Sequence, residues 1–403
     1  MHRSSSNSAS ASASRRARTG VLSSESVSEG HPDKLADRIA DRILDEFLAR
    51  EPNARVACEV MLADQCVVVA GEFRTRDPDV FRDVRARAVG LVAEVLRDAG
   101  YRDRASGIDP DLCDVQVRFR RQAAEIAQSV DRADGTLGAG DQGLAIGHAS
   151  DETPVLMPVP ILLANLLMRR HAELRRSGRF VWMRPDAKAQ VSVRYEEGQL
   201  MEIVAIVLSA QHAPDVDQRT LSEVLRREVI DVAIPEAWIA RDCRVLINPS
   251  GSFVRGGPEA DTGLTGRKIM VDTYGVAPHG GGAFSGKDPS KVDRSAAYFA
   301  RFLAREIVVR GWSPRCTLQL AYAIGVAEPV GFLVDAQGCD ARRCREIEDA
   351  LRSEFDFTPS GIIRHLDLLR PIYFDTAAYG HFGRDDLALP WEQNVGAARR
   401  DAS

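Results

Sequence analysis

Residues 33–73 read DKLADRIADRILDEFLAREPNARVACEVMLADQCVVVAGEF, and two periods follow one another within them. In the first half Leu35, Ile39, Ile43 and Phe47 recur at every fourth position, which lays one apolar stripe along a helix entered through Pro32 in its first turn. In the second half, residues 56–62 and 66–73 are β-rich runs separated by Ala63, Asp64 and Gln65, the pattern of a hairpin. A further helical stretch, 80–97, and an alternating run, 115–119, complete the unit.

The same order returns twice. A helix is expected over 159–176, strands over 189–195 and 201–208 across Glu197-Gly198, a helix near 221–230 and a strand at 243–247. The third round has a periodic stretch at 291–310, strands at 317–324 and 330–334, and a helix at 342–355. A recurring helix, hairpin, helix order is the signature of repeated supersecondary structure, so three related α/β units are expected. Between them, residues 135–147 and 251–286 hold dense glycine with Asp, Arg, Lys and His, too polar for core and too long for plain turns.

Composition agrees with a multi-domain globular chain. Its 403 residues are 44% hydrophobic, 28% charged and 6% aromatic, enough apolar material for more than one core. Lys plus Arg (53) nearly balances Asp plus Glu (58), for a formal charge of −5, which argues against a protein held on nucleic acid by bulk electrostatics. The longest apolar stretch, 155–168, is broken by Pro158, Pro160 and Asn165 and falls short of the ~20 apolar residues that a spanning helix needs. Seven cysteines, at 58, 66, 113, 243, 316, 339 and 344, form no CxxC pair and are odd in number, which disfavours a disulfide scaffold or a zinc site and fits a reducing cytoplasm. Residues 1–20 are rich in Ser and Ala with four arginines and no acid; lacking an amphipathic face or an apolar core, they read as a disordered tail.

Several stretches could do chemistry. Glu29-Gly30-His31-Pro32-Asp33-Lys34 lies just before the first helix, where free N–H groups and the helix dipole favour an anion. There His31 can donate to a phosphate oxygen and Asp33 is a hard oxygen ligand for Mg²⁺. Taken alone, Asp33 reads sooner as a complement to the helix N-terminus, with His31 in solvent. Glu59 and Glu72 sit in strands with apolar neighbours, where a cation or a ligand amino group would offset burial, although alternation can turn either to solvent. Lys188, Arg267, Lys268, Lys287 and Lys291 stand in or beside polar connections, and the glycines of 280–286 allow close approach to phosphate. Asp288 occupies the Ser/Thr position that a P-loop requires, and no Rossmann fingerprint is present. A polyphosphate held by another device, with Mg²⁺, is the expected ligand.

Ser26-Val27-Ser28-Glu29-Gly30-His31-Pro32-Asp33-Lys34, Gly138-Ala139-Gly140-Asp141-Gln142-Gly143, Arg184-Pro185-Asp186-Ala187-Lys188, Gly263-Leu264-Thr265-Gly266-Arg267-Lys268 and the run 280–293 together resemble the methionine adenosyltransferase (S-adenosylmethionine synthetase) family, a likeness running from about residue 22 to 391. The resemblance implies an α+β fold of three similar α/β domains about a pseudo-threefold axis. With the tail at 1–20, the units expected are 21–124, 137–254 and 256–395, interleaved in sequence.

The implied reaction joins ATP and L-methionine: the methionine sulfur attacks C5′ of ATP, and the released triphosphate is cleaved to pyrophosphate and phosphate. Homodimers with sites at the interface, and dimers pairing into tetramers, are implied with it. By resemblance His31 meets the oxygen bridging C5′ and the α-phosphate, with Lys188, Arg267, Lys268 and Lys287 around the phosphates and Asp141 near the reacting sulfur. Asp186, Ser252, Phe253, Asp261 and Ala283 complete the ATP site, with Phe253 stacking on adenine. Glu72, Gln122, Asp261 and Lys291 are assigned to methionine, Asp33 and Asp293 to two Mg²⁺ ions, and Glu59 to one K⁺.

The chain departs from the family after Gln122. Where a Gln-Ser-Pro-Asp-Ile loop ending in Gly is usual, it has Ala123, Ala124, Glu125, Ile126, Ala127, Gln128 and Ser129; Arg120-Arg121 adds charge before it, and the connection 134–138 is one residue shorter. The resemblance implies that this segment is a mobile lid, and loss of Pro and Gly from it alters backbone freedom. Two alternatives follow: a nucleotide-binding regulatory homologue without turnover, and an adenosyltransferase with altered preference among methionine analogues.

Overall fold

The computed structural model describes residues 19–122 and 137–393. The altered lid at 123–129, most of the shortened connection and residues 1–18 lie outside the described residues. Each of the three rounds begins with a long helix: α1 (Pro32–Arg50), α3 (Val159–Arg176) and α5 (Val292–Val309). The stripe of α1 is fully buried, with Leu35, Ile39, Ile43 and Phe47 at zero exposure. So are most residues on its other faces, because the helix 78–99 and the C-terminal part of the chain pack on the sides away from the sheet.

A hairpin follows each long helix. Strands β2 (Arg55–Ala63) and β3 (Cys66–Arg74) pair antiparallel from Arg55↔Arg74 to Ala63↔Cys66, turning at Asp64 with positive φ. Strands β6 (Met183–Glu196) and β7 (Gln199–His212) turn at Glu197-Gly198, where φ is 48° and 85°, the double positive φ that matches strand twist. The third hairpin joins β10 (Arg315–Tyr322) to β11 (Gly331–Ala336). Helices α2 (Pro78–Ala99), α4 (Gln218–Leu225) and α6 (Ala341–Glu354) come next. In the first two rounds a strand then returns parallel to the hairpin: β4 (Asp114–Arg121) on β3 and β8 (Ile239–Ile247) on β7. The helix expected near 221–230 leaves the α-helical register at Arg226, where a wider turn runs to Ile230.

Each sheet is completed by a strand from elsewhere in the chain. Strand β1 (Gly20–Val27) pairs antiparallel with β6, β5 (Gly143–Ser150) with β10, and the two-residue β9 (Gly263–Leu264) with β2. The resulting orders are β4-β3-β2-β9, β1-β6-β7-β8 and β11-β10-β5. The molecule is thus a three-domain α+β fold whose sheets exchange edge strands. The structure corrects two local expectations. Residues 143–150 were expected to lie largely within a glycine-rich connection but form a strand, and Asp186-Ala187-Lys188 lie inside β6 rather than before it. One apolar core is shared by the first and third rounds, from Leu35 to Trp391, and a second fills the central round.

Candidate functional site

His31 caps α1. Its Nδ1 accepts a hydrogen bond from the Asp33 backbone N–H at 3.1 Å, leaving Nε2 as the donor of a neutral ring. Burial, reinforced by Lys268 and Lys188, pushes the imidazole pKa down to about 3. Asp33 is completely buried. It accepts from the Leu264 N–H at 3.0 Å and from Lys268 Nζ at 2.5 Å, with Arg267 Nε 3.5 Å away. Burial opposes its ionisation, but Lys268 and Leu264 outweigh it and hold the carboxyl below its usual range.

Around this helix end stand residues from the central round. Ser28 Oγ donates to the Pro185 carbonyl at 2.7 Å, tying the 26–34 segment to β6. Asp186 is buried and accepts from the Gly257 N–H at 2.9 Å; burial, with Asp261 and Asp33 nearby, raises its pKa to about 6. Lys188 is half-exposed and paired with Glu25 at 2.7 Å. Phe253 is half-buried and clasped by His212, whose Nε2 accepts from the Phe253 N–H at 3.0 Å while the His212 backbone N–H donates to the Phe253 carbonyl at 3.0 Å. Ser252 and Asp261 are exposed.

A second group gathers where the run 280–293 meets β2. Lys287 pairs with Ala57 in a one-residue bridge, and Ala57 lies opposite Glu72 in the hairpin. Lys287 Nζ donates to Asp293 at 2.6 Å. The Asp293 carboxylate rests on glycine backbone: a Cβ on Gly282 would come within 2.5 Å of it, and one on Gly143 within 3.0 Å. Lys291 is paired with Asp288, which also accepts from the Val56 N–H at 2.7 Å. Asp141 is exposed and accepts from the Gln142 N–H at 2.7 Å, and the neighbouring Gly140 packs on the Ser290 carbonyl. Glu72 is exposed, and the Gln122 N–H donates to the Phe73 carbonyl at 3.0 Å. Glu59 also faces outward, where Thr265 Oγ1 donates to it; the Val60 carbonyl lies 3.3 Å from that hydroxyl.

The structure therefore brings the expected residues into two clusters: His31, Asp33, Asp186, Lys188, Arg267 and Lys268 in one, and Lys287, Lys291, Asp293 and the Glu72 strand in the other. Ala283 lies against Gly266, so the segments 263–268 and 280–293 touch. Among the described residues no group of three or more His, Cys, Asp or Glu side chains is placed to hold a metal alone. Asp33 and Asp293 are single carboxylates beside lysines, a donor set that fits Mg²⁺ drawing its remaining ligands from phosphate and water. The Glu59 carboxylate, Thr265 hydroxyl and Val60 carbonyl are hard oxygens that fit K⁺. Sequence reasoning missed Asp288, Glu25 and the aspartates Asp37 and Asp41 of α1; the last two were detectable by the four-residue repeat of aspartate that starts at Asp33.

Family models for the N-terminal, central and C-terminal domains of S-adenosylmethionine synthetase match residues 19–124, 136–253 and 255–393.

Proposed function

The chain belongs to the S-adenosylmethionine synthetase family and is a methionine adenosyltransferase, and from that premise we propose how its own residues divide the work. The substrates are ATP and L-methionine. The methionine sulfur forms a bond to C5′ of ATP as the C5′–O bond breaks, and the electron pair leaves with triphosphate. A neutral thioether needs no general base, so what the protein must supply is alignment and stabilisation of the leaving group.

His31 is the donor at the departing oxygen. Its neutral ring, capped through Nδ1, keeps Nε2–H available, and this is the observation that carries the reading. Lys188, Arg267, Lys268 and Lys287 neutralise the phosphates, and the same cations serve the cleavage of triphosphate to pyrophosphate and phosphate. Asp141 favours the nascent sulfonium charge, Phe253 stacks on adenine, and Asp186, Ser252, Asp261 and Ala283 complete the nucleotide site. Glu72, Gln122, Asp261 and Lys291 bind methionine. Asp33 and Asp293 would hold two Mg²⁺ ions and Glu59 one K⁺; when bound, these supply positive charge to the phosphates and order to the loop at Thr265.

Two clusters in one chain fit a homodimer that completes each site across its interface, and dimers paired into tetramers. The exchange of edge strands supports domains at 21–124, 137–254 and 256–395, interleaved in sequence. Seven free thiols favour a reducing cytoplasm, and no helix among the described residues is long and apolar enough to cross a membrane.

Two variants test the assignment. His31→Asn should lower formation of the sulfonium about 10²–10³-fold while hydrolysis of added tripolyphosphate persists. Lys287→Ala should lower both steps by a similar order with the fold intact. Sulfonium formation by His31→Asn at close to the wild-type rate would remove His31 from the reaction.

A further inference from the structure

Helix α1 carries an aspartate at every fourth position: Asp33, Asp37, Asp41 and Asp45. Four carboxylates therefore stack on one face, one turn apart and about 6 Å from each to the next along the axis. All four are buried. Each accepts a backbone donor from the C-terminal part of the chain, in order along the helix. Asp33 takes the Leu264 N–H at 3.0 Å, Asp37 the Gly266 N–H at 2.9 Å, Asp41 the Gly286 N–H at 2.8 Å, and Asp45 the Phe374 N–H at 2.8 Å.

The two middle carboxylates also have charged partners. Lys34 Nζ donates to Asp37 at 2.8 Å and to Asp272. Arg294 binds Asp41 through both terminal nitrogens at 2.7 and 2.9 Å, and its Nη1 reaches the carbonyls of Phe284 at 3.1 Å and Lys287 at 3.3 Å. The connection bearing Lys287 is thereby gripped at an N–H by Asp41 and at two carbonyls by the counter-ion of Asp41.

We infer that Asp37 and Asp41 are positioning residues for adenosyl transfer, latching the segments 263–268 and 283–288, which carry Arg267, Lys268 and Lys287, to the helix whose N-terminus presents His31 and Asp33. The inference rests on the reading of Arg267, Lys268 and Lys287 as phosphate ligands. These segments have little ladder of their own, so the position of each relative to α1 is set by the carboxylate that holds it. A buried carboxylate is a stronger acceptor for such an N–H than a neutral group. Displacement of a reacting group by about 1 Å is enough to cost on the order of 10²-fold in rate.

Hydrogen exchange and kinetics test it together. In the wild-type protein, peptides covering 263–268 and 283–288 should exchange their amide protons slowly, and fast, loop-like exchange in either overturns the latch. Asp37→Ala should lower kcat/KM for ATP about 10- to 100-fold and raise the ATP KM, with the methionine KM changed less than about twofold. Asp37→Asn keeps an oxygen for the Gly266 N–H and should recover to within about fivefold of wild type. A purely structural role would reduce the folded fraction and leave both KM values in place, so an unchanged ATP KM in Asp37→Ala overturns the proposal, as does an Asn variant no better than Ala. If Asp37→Ala does not fold, the Asn variant and the wild-type exchange decide. If the wild type forms no sulfonium product, the phosphate reading fails on its own, and the exchange result still decides whether the latch exists.

Discussion

Asp45, three turns into α1, accepts N–H groups from Tyr373 and Phe374 at 2.8–3.1 Å, yet its surroundings disfavour its charge. Burial raises its pKa to about 7, with Asp41 adding to the effect. A carboxyl with a raised pKa holds a proton in the folded state that the unfolded chain has already released, so stability falls as pH rises from about 4 to about 7 and is level above. Asp45→Asn has no such proton to lose. The variant's stability relative to wild type should therefore grow by roughly 2–3 kcal/mol between pH 5 and pH 8, measured by urea unfolding at both. An equal difference at the two pH values would show that Asp45 ionises normally. Residue types were legible in the sequence where the chemistry is distinctive, as at His31, Asp33 and Lys287. Their partners were not: Asp33 and Lys268 are 235 positions apart, and nothing local to either predicts that the pair forms.

At the scale of elements, helices and hairpins could be read because their periods record burial. The stripe 35, 39, 43, 47 is core, and the helix expected at 159–176 has those bounds. Strands β1 and β5 escaped the reading because GVLSSESV and GLAIGHAS hold few β-branched residues; pairing with β6 and β10 makes them strands. The connection 280–290 is held by close backbone approach. Gly286 has φ of +80°, and a Cβ there would lie 1.9 Å from the Cys58 carbonyl. Gly286→Ala should therefore lower the thermal midpoint clearly and reduce turnover, because a strained φ alone costs about 1–3 kcal/mol and the clash shifts Lys287. Retention of both the wild-type midpoint and rate would show that this connection tolerates displacement.

At the scale of the whole molecule, three rounds of helix, hairpin and helix are bound together by exchanged strands and by a core common to the first and third. The repeat was legible because each round reproduces the same order of periods; the exchange was not, since edge strands are recruited from outside their round. The same architecture sets His31 and Lys268 at one cluster and Lys287 and Asp293 at another. Light scattering should give a mass of at least twice the 44.2 kDa chain, and a monomer with full activity would contradict a site completed by a partner. The most direct measurement is a product balance: purified protein with ATP, L-methionine, Mg²⁺ and K⁺, with S-adenosylmethionine, pyrophosphate and phosphate quantified together. The account predicts equal yields of all three. ATP binding with no sulfonium product from methionine or its analogues would contradict it and leave a nucleotide-binding regulatory homologue.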